Sequence, residues 1–199
     1  MTGTEVEITF IKSCSNMLIN TELNQLMQRN LVEVAPVQLE EEDLELARRI
    51  RETLGPVHSY FDTVAAEITD PEERARVAAD ADSLVHRIVL PLARERQGFV
   101  SSDVGDVSWV CPTAQINAVT EAAGTPGHSW QQVSQGKSSI AHKGMLFAGK
   151  VMAGAIIDVL EDQRLIGEAK DELKKRVGEA GYVAPIPKDV RPMAINPKK

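Results

Sequence analysis

Four histidines, two cysteines and a pair of closely spaced aspartates are the residues of this chain whose types could do chemistry. His58, His86, His128 and His142 form no HExxH, HxH or HxD spacing, so no complete metal site is legible from local sequence. His142 stands out, because it sits in Ser138-Ser139-Ile140-Ala141-His142-Lys143-Gly144, directly before a long apolar run that reads as a helix. A helix N-terminus disfavours imidazolium and leaves a neutral ring available as a ligand. A histidine that caps the helix, or is satisfied by nearby backbone, fits the same residues. His128, in Gly127-His128-Ser129-Trp130, either orders its loop or lines a site, while His58 and His86 read as structural. Asp103 and Asp106 lie three apart in a loop-like stretch, where they can ligate a metal, orient a ligating histidine, or form Asx turns. Cys14 and Cys111 are far apart and form no CxxC, and no base beside Cys111 marks it as a nucleophile. No phosphate-cradling glycine loop and no GxSxG elbow is present.

These residues need elements to position them. Thr4 to Ile11 alternates Val6, Ile8 and Phe10 on one side, the pattern of a half-buried strand. Asn20 or Thr21 caps a helix carrying Leu23, Leu26, Met27 and Leu31, ended at Ala35-Pro36. A second helix runs from about Glu40 to Leu54, acidic at its start and basic at its end, and Gly55-Pro56 stops it. Asp70-Pro71-Glu72-Glu73 is a strong start signal for a third, in which Glu73 reaches back in capping-box fashion and the helix runs toward His86. From Phe99 to Gly144 the chain turns Ser-, Gly-, Pro- and Thr-rich, with β-like pieces at Val107 to Val110 and Ala114 to Val119. Loops of this kind between rigid elements are where sites are usually built. Met145 to Leu160 reads as a helix apolar nearly all round, hence buried on several sides. Gln163 to Ala180 reads as a charged amphipathic helix, and a Pro-containing extended tail follows Val183.

Composition bounds the function. The chain of 199 residues has 22 Lys+Arg against 29 Asp+Glu, a net charge of −7, which argues against general binding to nucleic acid or anionic membranes. Hydrophobic residues at 43% and charged residues at 26% place it among folded globular domains. No basic, then apolar, leader opens the chain, and the longest apolar stretch carries Lys150 and Asp158, so the expected location is the cytoplasm.

Three blocks then stand out in order and spacing: Ser102 to Val110, Gly124 to Gln131, and Ser139 to Leu146. Together with Gly3 to Glu7 and Ala184 to Val190, they resemble the aminobenzoyl-glutamate utilization protein B family of aminoacylase- and carboxypeptidase-like metalloamidohydrolases. That resemblance implies an α/β fold: the C-terminal part of a dinuclear zinc exopeptidase-like catalytic domain over residues 16–199. Residues 1–15 would end a ferredoxin-like lid and dimerisation domain with its last strand. It implies two divalent metal ions, zinc or manganese, in the complete enzyme, which polarise the scissile amide while a carboxylate activates water. The implied substrate is p-aminobenzoyl-glutamate or a related N-acyl amino acid. Family members are more than twice this length, so the catalytic glutamate and most ligands have no counterpart here. On the resemblance, His142 is the metal ligand in this chain, Asp103, Asp106, Gly127 and His128 shape pocket loops, and no catalytic residue is carried over. The implied partners are the missing N-terminal half or a related polypeptide of the same enzyme, and a second copy paired through the lid strand at Thr4 to Ile11. The competing reading is a truncated, non-catalytic homologue acting as an interaction module.

Overall fold

A computed structural model describes residues 3–55, 60–92 and 102–191. His58 lies outside them. Eight elements are assigned there, and all are helices: α1 (Thr21–Val34), α2 (Glu41–Arg51), α3 (Tyr60–Glu67), α4 (Pro71–Ala79), α5 (Val104–Ser108), α6 (Trp130–Gln135), α7 (Ser139–Glu161) and α8 (Arg164–Val177). The α/β expectation and its ferredoxin-like strand are therefore overturned. Thr4 to Ile11 carries no assigned strand, with Val6 84% and Ile8 89% exposed. Alternation prepares one face of a ribbon, but a strand exists only through bonds to a neighbour, and no described segment provides one. The β-like Val107 to Val110 instead falls at the end of α5 and its following turn, and Ala114 to Val119 has no regular structure.

The helix starts follow local chemistry. The Asn20 side-chain oxygen accepts from Leu23 N–H at 3.0 Å and opens α1. Asp70 accepts from Glu73 N–H at 2.8 Å, with Pro71 in the first position of α4. Glu73 does not reach back to complete a capping box. Its carboxylate takes the Arg76 guanidinium in two bonds, 2.6 and 2.9 Å, a stronger charge-assisted pairing. Nor does α4 extend toward His86. Asp80 takes the Ser83 hydroxyl at 2.9 Å and His86 Nδ1 at 2.8 Å, and this local turn ends the helix at Ala79. Gly178, at φ +67°, sits in the left-handed region that closes α8.

Helix α1 packs against α7 and α8, and α3 against α4. Two apolar clusters result. One joins Ala47 and Ile50 of α2 to Val85, Ala122 and Ile140, and the other joins Phe61 and Ala65 of α3 to Val77 of α4. The segment between Leu84 and Leu90 serves both, since Leu84 and Val85 enter the first while Ile88 and Leu90 pack on the second. The apolar run Met145 to Leu160 is not hidden on several sides, because only Val151 and Ala155 of it are buried, continuing the inner face begun by Ile140, Ala141 and Gly144. Two glycines of α7 allow close approach. A Cβ at Gly144 would collide with the Val119 carbonyl, and one at Gly154 would collide with the Asn30 side chain of α1. Asn30 is itself buried and donates to Leu26 O at 3.1 Å and Asp158 at 2.7 Å.

The head of α7 is tied to α2 by a charge cluster. Asp43, its side chain fully buried, accepts from Lys143 Nζ at 2.6 Å, from Glu40 N–H at 2.7 Å and from the Ser139 hydroxyl. Burial pushes the Asp43 carboxyl up, but the Lys143, Ser139 and Glu40 bonds outweigh it and hold the group below its ordinary 3.8.

Two outcomes follow from this packing. A carboxyl depressed in the folded state contributes stability above its unfolded value and loses it as pH falls below about 3.8 toward the folded value. Lys143→Met should therefore lower the urea midpoint clearly at pH 7, and by progressively less as pH falls below about 3.8 and the Asp43 carboxylate is protonated. Gly154→Ala should destabilise by about 1–3 kcal/mol through overpacking. In the same titration, Gly167→Ala on α8, whose Cβ meets nothing within 4 Å, should gain up to about 1 kcal/mol from helix propensity.

Candidate functional site

The three sequence blocks fold into three different devices. In the first, α5 grips the chain ahead of α1. Asp106 accepts from Ser15 N–H at 3.1 Å and from the Tyr182 hydroxyl at 2.8 Å. Ser108 Oγ accepts from Leu18 N–H at 2.8 Å and donates to Gly105 O, and Trp109 Nε1 donates to Asn16 O at 2.9 Å. Gly105 lies so close to the Ser15 carbonyl that any Cβ would collide with it. The Ser15 and Tyr182 hydrogen bonds hold the Asp106 carboxyl below its ordinary range, and in turn the Asp106 carboxylate raises the Tyr182 phenol. Asp106 is thus an acceptor for backbone and phenol, while Asp103 is exposed at the start of α5, where Ser102 Oγ rather than the aspartate takes Val104 N–H at 3.2 Å.

The second block is the loop leading into α6. Ser129 accepts from Gln132 N–H at 3.2 Å as the helix cap, and its hydroxyl donates to Pro126 O at 2.7 Å. Gln135, buried at the far end of the short helix, accepts from Ala122 N–H at 2.7 Å and donates to Thr125 Oγ1 at 3.0 Å, which closes the loop on its own base. Gly127 is exposed, and nothing surrounds the position of its missing side chain. His128 is exposed with φ +60°, a left-handed conformation uncommon outside glycine and asparagine. Its N–H donates to Gln132 Oε1 at 2.9 Å, which holds the strained residue in place. The third block is the head of α7. Ser138 caps it through Ala141 N–H at 3.2 Å, Ile140 is buried in the first cluster, and His142 projects to solvent one residue before Lys143.

A cleft of about 1670 Å³ opens beside the second block. Its apolar walls include Met27, Phe61, Leu90, Ile116 and Phe147, and Thr125, Pro126 and Gln131 border it. Glu121 stands in that wall. Burial pushes its carboxyl above the ordinary range, and a hydrogen bond with the Gln132 side chain pulls it part of the way back. Gln132 thus touches both Glu121 and the backbone of His128. Asp103, Asp106, His128 and His142 do not line the cleft. His86 does, stacked on Phe61 with ring centroids 3.7 Å apart.

Glu121, Gln132 and the Asp43–Lys143 pair escape a reading of the sequence. Glu121 and Gln132 are polar residues in a polar stretch, with no local pattern that marks them. Asp43 and Lys143 are a hundred positions apart, and each passes for one charge on a solvated helix face. Among the described residues, no three His, Cys, Asp or Glu side chains come together as a metal-binding group. Cys14 is half-buried, Cys111 is exposed, and both are free thiols. No helix among the described residues is long and apolar enough to cross a membrane.

No family model matches the chain, and no solved structure matches it. It is 36% identical over 197 residues to the B-type component of p-aminobenzoyl-glutamate hydrolase from Escherichia coli (strain K12). The match takes in 98% of this chain and 41% of that protein. The resemblance carried by the three blocks therefore extends along nearly the whole sequence, and the chain is a relative of that p-aminobenzoyl-glutamate hydrolase component that spans about two-fifths of its length.

Proposed function

We propose that this chain is the C-terminal part of an amide-bond hydrolase, active with a complementary polypeptide on p-aminobenzoyl-glutamate or a related N-acyl amino acid in the cytoplasm. The observation that carries this reading is the 36% identity over 98% of the chain to a protein named as one component of such a hydrolase. Because the chain spans only 41% of that relative, the reading assigns the general base and most metal ligands to the complement. Two divalent ions, zinc or manganese, belong to the complete enzyme in this reading. The described residues do not fit a dinuclear centre by themselves, since no three candidate donors converge.

What this chain contributes is position. His142 is the proposed ligand. It is exposed on the first turns of α7, and the Asp43–Lys143 pair one residue away fixes that helix end against α2. Asp103, Gly127 and His128 present exposed groups on the loops of the first two blocks. Asp106 works through them, by fixing α5 to the segment before α1.

Release of p-aminobenzoate from p-aminobenzoyl-glutamate tests the reading. The chain alone should show no turnover, and adding the complementary polypeptide co-purified from source cells should restore it. His142→Ala should then lose roughly 100-fold or more while keeping its helix content. Tight stoichiometric zinc binding by the chain alone, measured by calorimetry, would sink the split-site assignment. The second reading, a non-catalytic interaction module, is favoured by the exposed apolar side of α7. It gains if the cellular effect of the chain is indifferent to His142→Ala.

A further inference from the structure

His86 is left with one open edge. Its Nδ1 meets the Asp80 carboxylate at 2.8 Å, and the other Asp80 oxygen takes the Ser83 hydroxyl at 2.9 Å. The ring lies on Phe61 with centroids 3.7 Å apart and planes 15° from parallel. The Asp80 and His86 side chains are only 15% and 17% exposed. Nε2, on the far edge of the ring, makes no hydrogen bond among the described residues, yet it is not sealed in, because no buried side-chain nitrogen or oxygen there lacks a partner. A neutral imidazole whose Nδ1–H goes to a carboxylate keeps its lone pair on Nε2, where it accepts. The pair therefore holds one oriented acceptor at the wall of the cleft.

Around that acceptor the cleft is apolar, with Met27, Leu90, Ile116 and Phe147 in its walls. Among the described residues its lining carries the carboxylates of Glu67, Asp70, Glu73 and Glu121 against the guanidinium of Arg87. Such a lining opposes an anionic group and favours an uncharged ring that bears an N–H donor. Thr125 and Pro126 bring the loop of the second block to the same cleft. On the proposed substrate the aromatic amine is the end that fits, being flat, apolar, uncharged and a donor. The glutamate end carries two carboxylates and belongs outside the acidic lining. We propose that His86 is a specificity-determining residue, which accepts an N–H of the aromatic amine of p-aminobenzoyl-glutamate in this cleft. Asp80 acts through the ring, as a positioning residue that fixes its tautomer. The inference rests on the hydrolase reading for the identity of the ligand, and it adds that this chain recognises the arylamine end.

Benzamide and p-aminobenzamide, which lack the glutamate, separate this contact from catalysis. In NMR spectra of the full chain with isotope-labelled histidine, p-aminobenzamide should move the Nε2 signal of His86, identified by its loss in His86→Phe. Benzamide should leave that signal in place. The chain should hold the amine about 10-fold more tightly than the unsubstituted amide, the factor that one net hydrogen bond supplies. Asp80→Asn should erase this preference with helix content intact, because an amide that donates to Nδ1 puts the ring proton on Nε2. If that variant fails to fold, His86→Phe, which keeps a ring beside Phe61, decides. Equal response to both probes, no response to either, or a preference that survives both substitutions would overturn the inference. With the complementary polypeptide added, the ratio of kcat/KM for p-aminobenzoyl-glutamate over benzoyl-glutamate should fall by the same factor in Asp80→Asn, through KM. No turnover by the wild-type assembly would instead sink the hydrolase reading, and the probe spectra would still decide the contact at His86.

Discussion

The rest of the molecule depends on a buried carboxylate. Asp43 has no solvent, and an unpaired charge there would be strongly destabilising. Lys143, Ser139 and the Glu40 N–H together satisfy it. Because two of its partners come from the head of α7, the ion pair fixes where that helix begins, and with it the neighbouring His142. The apolar packing beneath, Ile140 on Ala47 and Ile50, supplies attraction without direction. The charge cluster supplies the register. A buried pair of this kind is weak evidence for net stability, and its clearer effect is to penalise every arrangement that leaves Asp43 alone.

A second constraint acts at the other end of the same helix. Asn30 of α1 occupies the space that a side chain at position 154 would take, and bonds to Asp158 one turn later. The long helix is thus pinned by polar contacts near both ends, against α2 and against α1. Its inner face is specified by glycines and buried polar groups, and its outer face by nothing within the described residues. Helix α5 applies the same logic to irregular backbone. Through Asp106, Ser108 and Trp109 it binds three points between Ser15 and Leu18, and through Asp106 it also holds Tyr182. A motif that stands out in the sequence for its aspartates therefore joins distant parts of the chain.

Signals that act over three or four residues are legible. Asn20, Asp70 with Pro71, and the charge gradient of α2 each name a helix end, because donor and acceptor lie within one turn. Signals that need a distant partner are not. Thr4 to Ile11 has the composition of a strand, but pairing is a property of two segments, and here the second is missing from the described residues. The apolar circumference of α7 is plain, yet which part is covered depends on α1 and α8. At the candidate site, His142 and His128 are visible as types, while the strain at His128 and the burial of Glu121 arise only once the loop is closed by Gln132 and Gln135. The polar residues that shape the cleft carry no spacing that sequence could reveal.

Among the described residues, the segment from Leu84 to Leu90 contributes to both apolar clusters. The α3–α4 pair has its own core, and among the described residues bonds such as Gln28 Nε2 to Leu90 O at 2.8 Å join the segment that packs on it to α1. Such a unit can open without breaching the cluster around Ala47 and Ile140. Unfolding free energy is then distributed unevenly, with amides of α3 and α4 exchanging through a smaller excursion than those of α1 and α7. The cleft lies between these two cooperative units, so its width is set by the balance between them and by anything that binds across both.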